Sequence, residues 1–108
     1  MPSFKGKRKT AYQNKIIQRL IGFRKSRNIN QSKIARLLNR TSQTISLIEK
    51  SDSPNIYSLH QILIICEACS IDASYVFMDN EDVFNTKTQW EILDLLMKRI
   101  SEYENNKR

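Results

Sequence analysis

Apolar side chains recur at intervals of three or four residues along most of the chain, and no segment alternates with the period of two expected of a strand. The first of these stripes contains Ile16, Ile17, Leu20 and Ile21. Only two glycines and two prolines occur among the 108 residues, so few positions break the helical pattern. The spacing therefore predicts an all-α fold, and the length suits one compact domain.

Six helices are predicted from these stripes and from the polar residues that precede them. Asn30 and Thr41 suit the N-cap position, while Ser58 and Thr88 each stand three residues before Gln or Glu, the spacing of a capping box. The helices are expected at about residues 12–27, 31–38, 42–50, 58–69 and 89–104, with a short helix after Asp72. The chain then divides into a disordered basic arm (1–11), a helical domain (12–78), a polar linker (79–87) and a C-terminal helix (88–108).

Charge is distributed very unevenly along the sequence. The first 48 residues carry twelve Lys and Arg and no Asp or Glu, whereas the rest carries six basic and eleven acidic residues. A cationic half of this kind favours an anionic partner, and nucleic acid is the leading candidate because neutralised phosphates release counterions. An anionic membrane surface is less favoured, since the basic half lacks a Trp- and Phe-rich face. RNA is less favoured because no aromatic stacking platform is interleaved with the basic residues.

The third predicted helix has the surface chemistry of a major-groove reader. Once its apolar stripe of Ile45 and Ile48 is set aside, it presents hydroxyls, one amide, one aliphatic group and one cation. These residues are Ser42, Gln43, Thr44, Ser46, Leu47 and Lys50. An amide can pair with adenine, hydroxyls can bind bases or phosphates, and an aliphatic group can contact the thymine methyl.

The segment QSKIARLLNRTSQTISLIEK resembles the helix-turn-helix of the phage lambda repressor and Cro-like (Xre-type) family. The resemblance is carried by the spacing of Gln31, Ala35, Asn39, Ile45, Ile48 and Glu49, and it covers about residues 16–77. Two positions depart from the pattern: Asn39 stands where glycine is usual, and Arg40 where an apolar residue is usual. The resemblance implies a five-helix repressor-like domain, here with an additional C-terminal helix, that binds double-stranded DNA and regulates transcription as a repressor.

The same resemblance implies roles for individual residues. Gln31 would hold a backbone phosphate, and Arg24 would pair with Glu49 to join the first helix to the end of the third. The side chains expected to face the groove are Thr41, Ser42, Gln43, Ser46 and Leu47. We add Lys33, Arg40, Thr44 and Lys50 as further DNA contacts, since each is predicted to lie on or beside the same surface.

The basic arm contributes a second possible contact with DNA. Lys5, Lys7, Arg8 and Lys9 resemble arms that enter a minor groove or follow phosphates, and the alternative is a solubilising tail.

The last predicted helix carries more apolar surface than a single exposed helix can leave in water. Its stripe contains Trp90, Leu93, Met97 and Ile100, and it is widened by Ile92, Leu95, Leu96 and Tyr103. The side chains expected at an interface are Trp90, Leu93, Leu96, Met97 and Ile100. Palindromic operators require two-fold symmetric proteins, so we expect this helix to form a homodimer. The alternatives are packing on its own domain, or binding a protein partner such as a toxin, with DNA binding as autoregulation. On the dimer hypothesis, a chain without residues 88–108 should stay folded but become monomeric.

Other functional classes find little support in the sequence. Cys66 and Cys69 follow the stripe of a helix, where burial is a better interpretation than redox chemistry or half a zinc site. His60 is the only histidine, and no catalytic constellation, metal-ligand set or cofactor motif is present. No apolar run reaches the ~18 residues of a membrane span. We therefore expect a non-enzymatic, cofactor-free cytoplasmic protein.

Overall fold

The computed structural model describes residues 8–104, and all regular structure in that range is helical. Its seven helices are α1 (Ala11–Ser26), α2 (Gln31–Leu38), α3 (Ser42–Glu49), α4 (Leu59–Cys69), α5 (Ala73–Phe77), α6 (Asn80–Asn85) and α7 (Gln89–Glu104). The predicted all-α class is confirmed. Among these described helices, none has the length and apolar character needed to cross a membrane.

Local capping fixes where most helices begin. The Asn30 side chain accepts a hydrogen bond from Lys33 N, and Thr41 accepts one from Thr44 N, as the sequence predicts. Ser58 forms a complete capping box with Gln61, because each side chain binds the other residue's backbone N–H. These bonds satisfy amide groups that the first turn of a helix leaves without partners. The predicted starts of α2, α3 and α4 are therefore correct.

One continuous core holds the helices together. Ile16 and Ile17 of α1, Ile45 of α3 and Ile62 of α4 are completely buried within it. α2 packs against α3 and α4, and α1 packs against both α3 and α5. The apolar stripes found in the sequence are the surfaces that meet here, so burial of these branched side chains supplies the main stabilisation.

The segment predicted as a linker contains a helix, α6. Its sequence has no apolar stripe, and polar contacts attach it instead. Asp79 N donates to Asp82 Oδ2 at 3.0 Å at the start of the helix. Asp82 also accepts from Arg99 of α7 at 3.0 Å, and Asp79 is paired with Arg19 of α1. These partners are distant in sequence, which is why local patterns indicated only a polar connection.

The C-terminal end of α7 belongs to the same core. The Tyr103 ring is 1% exposed and meets Phe77 edge-to-face, with 5.9 Å between ring centroids. Its hydroxyl donates to the Tyr57 carbonyl at 2.6 Å, and the buried Gln13 amide donates to the Tyr103 carbonyl at 2.8 Å. Removal of residues 88–108 would open this cluster. These contacts indicate that truncation would lower stability, and the expectation that the shortened chain stays folded remains a prediction.

Candidate nucleic-acid interface

α2 and α3 form a compact pair of eight-residue helices, which we call the α2–α3 unit together with the turn and caps (residues 30–50). Three residues, 39–41, connect the helices. Asn39 takes the left-handed conformation (φ 58°, ψ 48°), which Asn tolerates better than most residues, and Arg40 N donates to the Ala35 carbonyl at 2.8 Å. Ala35 and Ile45 are buried where the two helices pack.

Most of the predicted DNA contacts are exposed on this unit. The exposed residues are Lys33, Arg40, Thr41, Ser42, Gln43, Leu47 and Lys50. Thr44 and Ser46 are half-buried. Positions separated by three or four residues share a helix face, so Gln43, Ser46, Leu47 and Lys50 form one continuous strip.

Two exposed residues of α2 extend this surface. The sequence predicts that loss of Arg36 weakens binding to all duplexes alike, whereas Ser32 was not among the predicted contacts. Arg36 lies one turn after Ser32, and both are exposed. The Ser32 hydroxyl lies 3.2 Å from the Ser42 hydroxyl, which joins the first turns of α2 and α3. The spacing of Ser32 from the buried Ile34, Ala35 and Leu38 is the signal that would have identified it.

Arg24 and Glu49 form a bidentate ion pair between α1 and the end of α3. Arg24 Nε donates to Glu49 Oε2 at 2.9 Å, and Nη2 donates to Oε1 at 2.8 Å. A third guanidinium nitrogen donates to the Ile29 carbonyl at 2.9 Å. The two side chains are only 12% and 9% exposed. This geometry neutralises the one carboxylate found among the first 50 residues.

Gln31 is bound to the same carboxylate. Its Nε2 donates to Glu49 Oε1 at 2.9 Å, and the residue is half-buried. Its amide is thus held by an internal partner, although the resemblance implies a phosphate contact. Nearby, burial raises the pKa of Tyr57, and the negative charge of Glu49 adds to that shift.

The two described cations of the predicted basic arm differ from one another. Arg8 is exposed, whereas the Lys9 ammonium lies 2.5 Å from both the Ile48 and the Lys50 carbonyls. Partial burial lowers the pKa of Lys9, and the charge of Asp52 opposes that shift. A cation at this position satisfies carbonyls at the C-terminal end of α3 and complements the helix dipole. Lys5 and Lys7 lie outside the described residues.

A second exposed surface has the opposite character. Phe84 of α6 is 85% exposed and Trp90 of α7 is 75% exposed, and Val83, Leu93 and Met97 are exposed as well. We call these five residues the α6–α7 apolar surface. Val83 and Phe84 also line an open groove of about 590 Å³ beside Phe23 and Tyr75. Isolated apolar residues on a surface are ordinary, whereas several large ones on neighbouring helices are a candidate surface for protein contacts.

The five side chains expected at a dimer interface therefore divide into two groups. Trp90, Leu93 and Met97 are exposed, whereas Leu96 and Ile100 are half-buried against the core of their own domain. The apolar arc is wide because α7 uses one side of it for its own fold. The other side is uncovered in the single chain.

The two cysteines show no sign of a reactive pair. Burial raises the pKa of Cys66 to about 11, so its thiol is protonated at neutral pH, and both cysteines are free. Within residues 8–104, no group of three or more His, Cys, Asp or Glu side chains is placed to hold a metal ion.

Comparisons with protein-family models, curated proteins and solved structures give no match for this chain. Two features of the molecule itself bear on its function. One is the cationic α2–α3 unit, and the other is the α6–α7 apolar surface.

Proposed function

We propose that this protein is a sequence-specific, double-stranded DNA-binding transcriptional regulator with a helix-turn-helix like that of phage lambda repressor and Cro-like proteins. It acts as a homodimer on a palindromic operator, where it represses transcription by occupying the site. α3 would enter the major groove, and α2 would lie against the backbone.

The observation that carries this proposal is the charge of the α2–α3 unit. The unit exposes four cations, Lys33, Arg36, Arg40 and Lys50. Its single carboxylate, that of Glu49, is nearly buried and forms a bidentate pair with Arg24. An approaching phosphate would therefore meet cations without a competing anion. Such a surface favours polyanions, and the hydroxyl and amide groups of α3 add donors and acceptors for base edges.

The homodimer is supported by the α6–α7 apolar surface. Phe84, Trp90 and Met97 would be covered by the same residues of a second copy in a two-fold contact. Two linked subunits bind an operator far more tightly than one, because the second half-site is bound at high effective concentration. The two α3 helices should then meet half-sites about 34 Å apart.

Salt dependence of binding tests the proposal. The logarithm of the association constant should fall linearly with the logarithm of the salt concentration. Four phosphate-binding cations in each subunit of a dimer would give a slope of about −7. Lys33→Ala should reduce that slope by about one for each subunit and weaken binding to every duplex alike.

Two control variants remove cations that are not expected to bind phosphate. Lys98→Ala removes an exposed cation of α7 and should leave the slope unchanged. Lys9→Met should also leave it unchanged, because the Lys9 ammonium is bound to carbonyls of the chain. A slope near zero, or equal affinity for all duplex sequences in competition, would refute DNA recognition.

The exposed α6–α7 apolar surface also favours a second function, binding of a different protein, with DNA binding as autoregulation. Sedimentation at micromolar concentration separates the two. A dimer that Trp90→Ser converts to a monomer supports self-association. A protein that is monomeric both free and on operator DNA would refute the homodimer. That result would favour binding of a different protein, such as a toxin, at this surface.

A further inference from the structure

The exposed face of α3 holds fewer free polar groups than its sequence suggests. The Ser42 hydroxyl lies 3.2 Å from the Ser32 hydroxyl, and the Thr44 hydroxyl lies 3.0 Å from that of Thr41. Thr41 also accepts a hydrogen bond from Thr44 N at 3.1 Å. Three of the hydroxyls at the start of α3 are therefore already engaged within the protein.

Gln43 and Leu47 are the exposed side chains of α3 that remain for base contacts. Gln43 makes no hydrogen bond with any described residue, so both ends of its amide are available among residues 8–104. Leu47 is 45% exposed. The two residues stand four positions apart on one face, which separates them by about 6 Å along the helix.

Each of these side chains has a preferred base. In a bidentate pair with adenine, the Gln amide nitrogen donates to N7 and the amide oxygen accepts from the N6 amino group. An aliphatic group packs against the C5-methyl of thymine. Because base pairs repeat every ~3.4 Å along the duplex, both contacts would fall within about two base pairs of each other.

The same face lacks the commonest reader of guanine. Guanine is most often recognised by Arg or Lys, which donate to its O6 and N7. α3 contains no cation between Ser42 and Glu49. Arg40 lies in the turn before the helix and Lys50 at its C-cap, positions that suit the phosphates on either side of the groove.

We propose that each half-site is centred on A·T base pairs, with Gln43 bound to an adenine and Leu47 packed on a thymine methyl group nearby. This inference rests on the proposed function, and it names the DNA sequence class that the same surface reads.

Selection of sites from random duplex DNA with the full-length protein is the first measurement. The selected half-sites should contain an adenine and a thymine within about two base pairs in the region contacted by α3. Enrichment of G·C pairs throughout the half-site would overturn the inference and leave sequence-specific binding intact. No enrichment of any sequence would refute the proposed function itself.

Base analogues then connect each residue to its base. Replacing the contacted adenine with 7-deaza-2′-deoxyadenine removes N7 and should weaken binding of the unmodified protein by roughly fivefold or more. Replacing the thymine with 2′-deoxyuridine removes one methyl group and should weaken it about fourfold. Gln43→Ala should lose sensitivity to the first analogue only, and Leu47→Ala to the second only.

Lys33→Ala is the matched control, because it removes an exposed cation and keeps both readers. It should bind all duplexes more weakly and retain full sensitivity to both analogues. Circular dichroism establishes that each variant is folded, which surface substitutions should allow. If Gln43→Ala kept its sensitivity to 7-deazaadenine, or Leu47→Ala its sensitivity to deoxyuridine, the assignment of that residue would be overturned.

Discussion

The α2–α3 unit and the α6–α7 segment differ in how they are attached and in what they expose. The α2–α3 unit has apolar side chains inside and cations outside, and an ion pair between Arg24 and Glu49 joins it to α1. The α6–α7 segment (residues 79–104) is attached to α1 partly by the ion pair of Asp79 with Arg19, and it exposes apolar rings and methyl groups. Under the proposed function, the first region would bind an anionic polymer and the second an apolar protein surface.

The largest effect is expected from substitution of Tyr103, the one buried side chain of α7. Tyr103→Ala should lower the free energy of unfolding by about 3–5 kcal/mol, because it leaves a cavity beside Phe77. Tyr103→Phe keeps the ring and should cost about 1 kcal/mol, because the Tyr57 carbonyl loses its donor. Urea unfolding followed by circular dichroism measures both.

Ser101→Ala is the control for that measurement, since Ser101 is exposed on the same helix. Its effect should stay within about 0.5 kcal/mol. If Tyr103→Ala were no more destabilising than Ser101→Ala, α7 would be separable from the domain after all.

The next largest effect is expected in the α2–α3 unit. Arg24→Met should lower the free energy of unfolding by about 3 kcal/mol, because it leaves the nearly buried Glu49 carboxylate without its main partner. Adding Glu49→Leu should recover much of that loss, since two apolar groups replace the pair. A double-mutant cycle, with free energies of unfolding from chemical denaturation, gives the coupling free energy between Arg24 and Glu49.

Lys25→Met, at the exposed neighbouring position, should be close to neutral. Equal effects of Lys25→Met and Arg24→Met would show that the pair does not hold α3 in place.

The smallest effect is expected in how acid changes the stability contributed by the ion pairs of the α6–α7 segment. The Arg19 guanidinium lowers the pKa of Asp79, and Arg99 lowers the pKa of Asp82, both below the usual 3.8. On acidification the unfolded chain takes up these protons first, so stability from both pairs is present above about pH 4 and lost below it. Because these pairs are partly exposed, we expect them to contribute about 1 kcal/mol or less to the free energy of unfolding.

Asp82→Asn should make the unfolding free energy fall less steeply between about pH 5 and pH 2 than in the unmodified protein. Asp94→Asn, at an exposed residue that makes no salt bridge among residues 8–104, serves as the control. An identical pH profile for Asp82→Asn and the unmodified chain would exclude this contribution.

The sequence predicted many of the features that local interactions determine, although not the capping box of Thr10 with Gln13 that begins α1. The starts of α2, α3, α4 and α7 follow from caps such as Asn30 and Thr88, whose partners lie within three residues. The left-handed Asn39 was predictable for the same reason, because the preference belongs to the residue itself.

Contacts between distant residues could not be predicted in this way. The attachment of Lys9 to the end of α3 joins residues about 40 positions apart, and α6 depends on Arg99 and Arg19. The hydrogen bond of Gln31 to Glu49 likewise requires α2 and α3 to be folded first. No local pattern encodes such pairs, since each partner alone is an ordinary polar residue.

The exposure of Trp90 gives the protein an internal optical reporter. It is the only tryptophan in the sequence, and it lies on the α6–α7 apolar surface, outside the core cluster. Because Trp90 is 75% exposed, its emission in the single chain should resemble that of an indole in water, and covering this surface would shift that emission to shorter wavelength. Fluorescence of the unlabelled protein therefore reads association at one region of the molecule, while the tyrosines buried in the core report on folding.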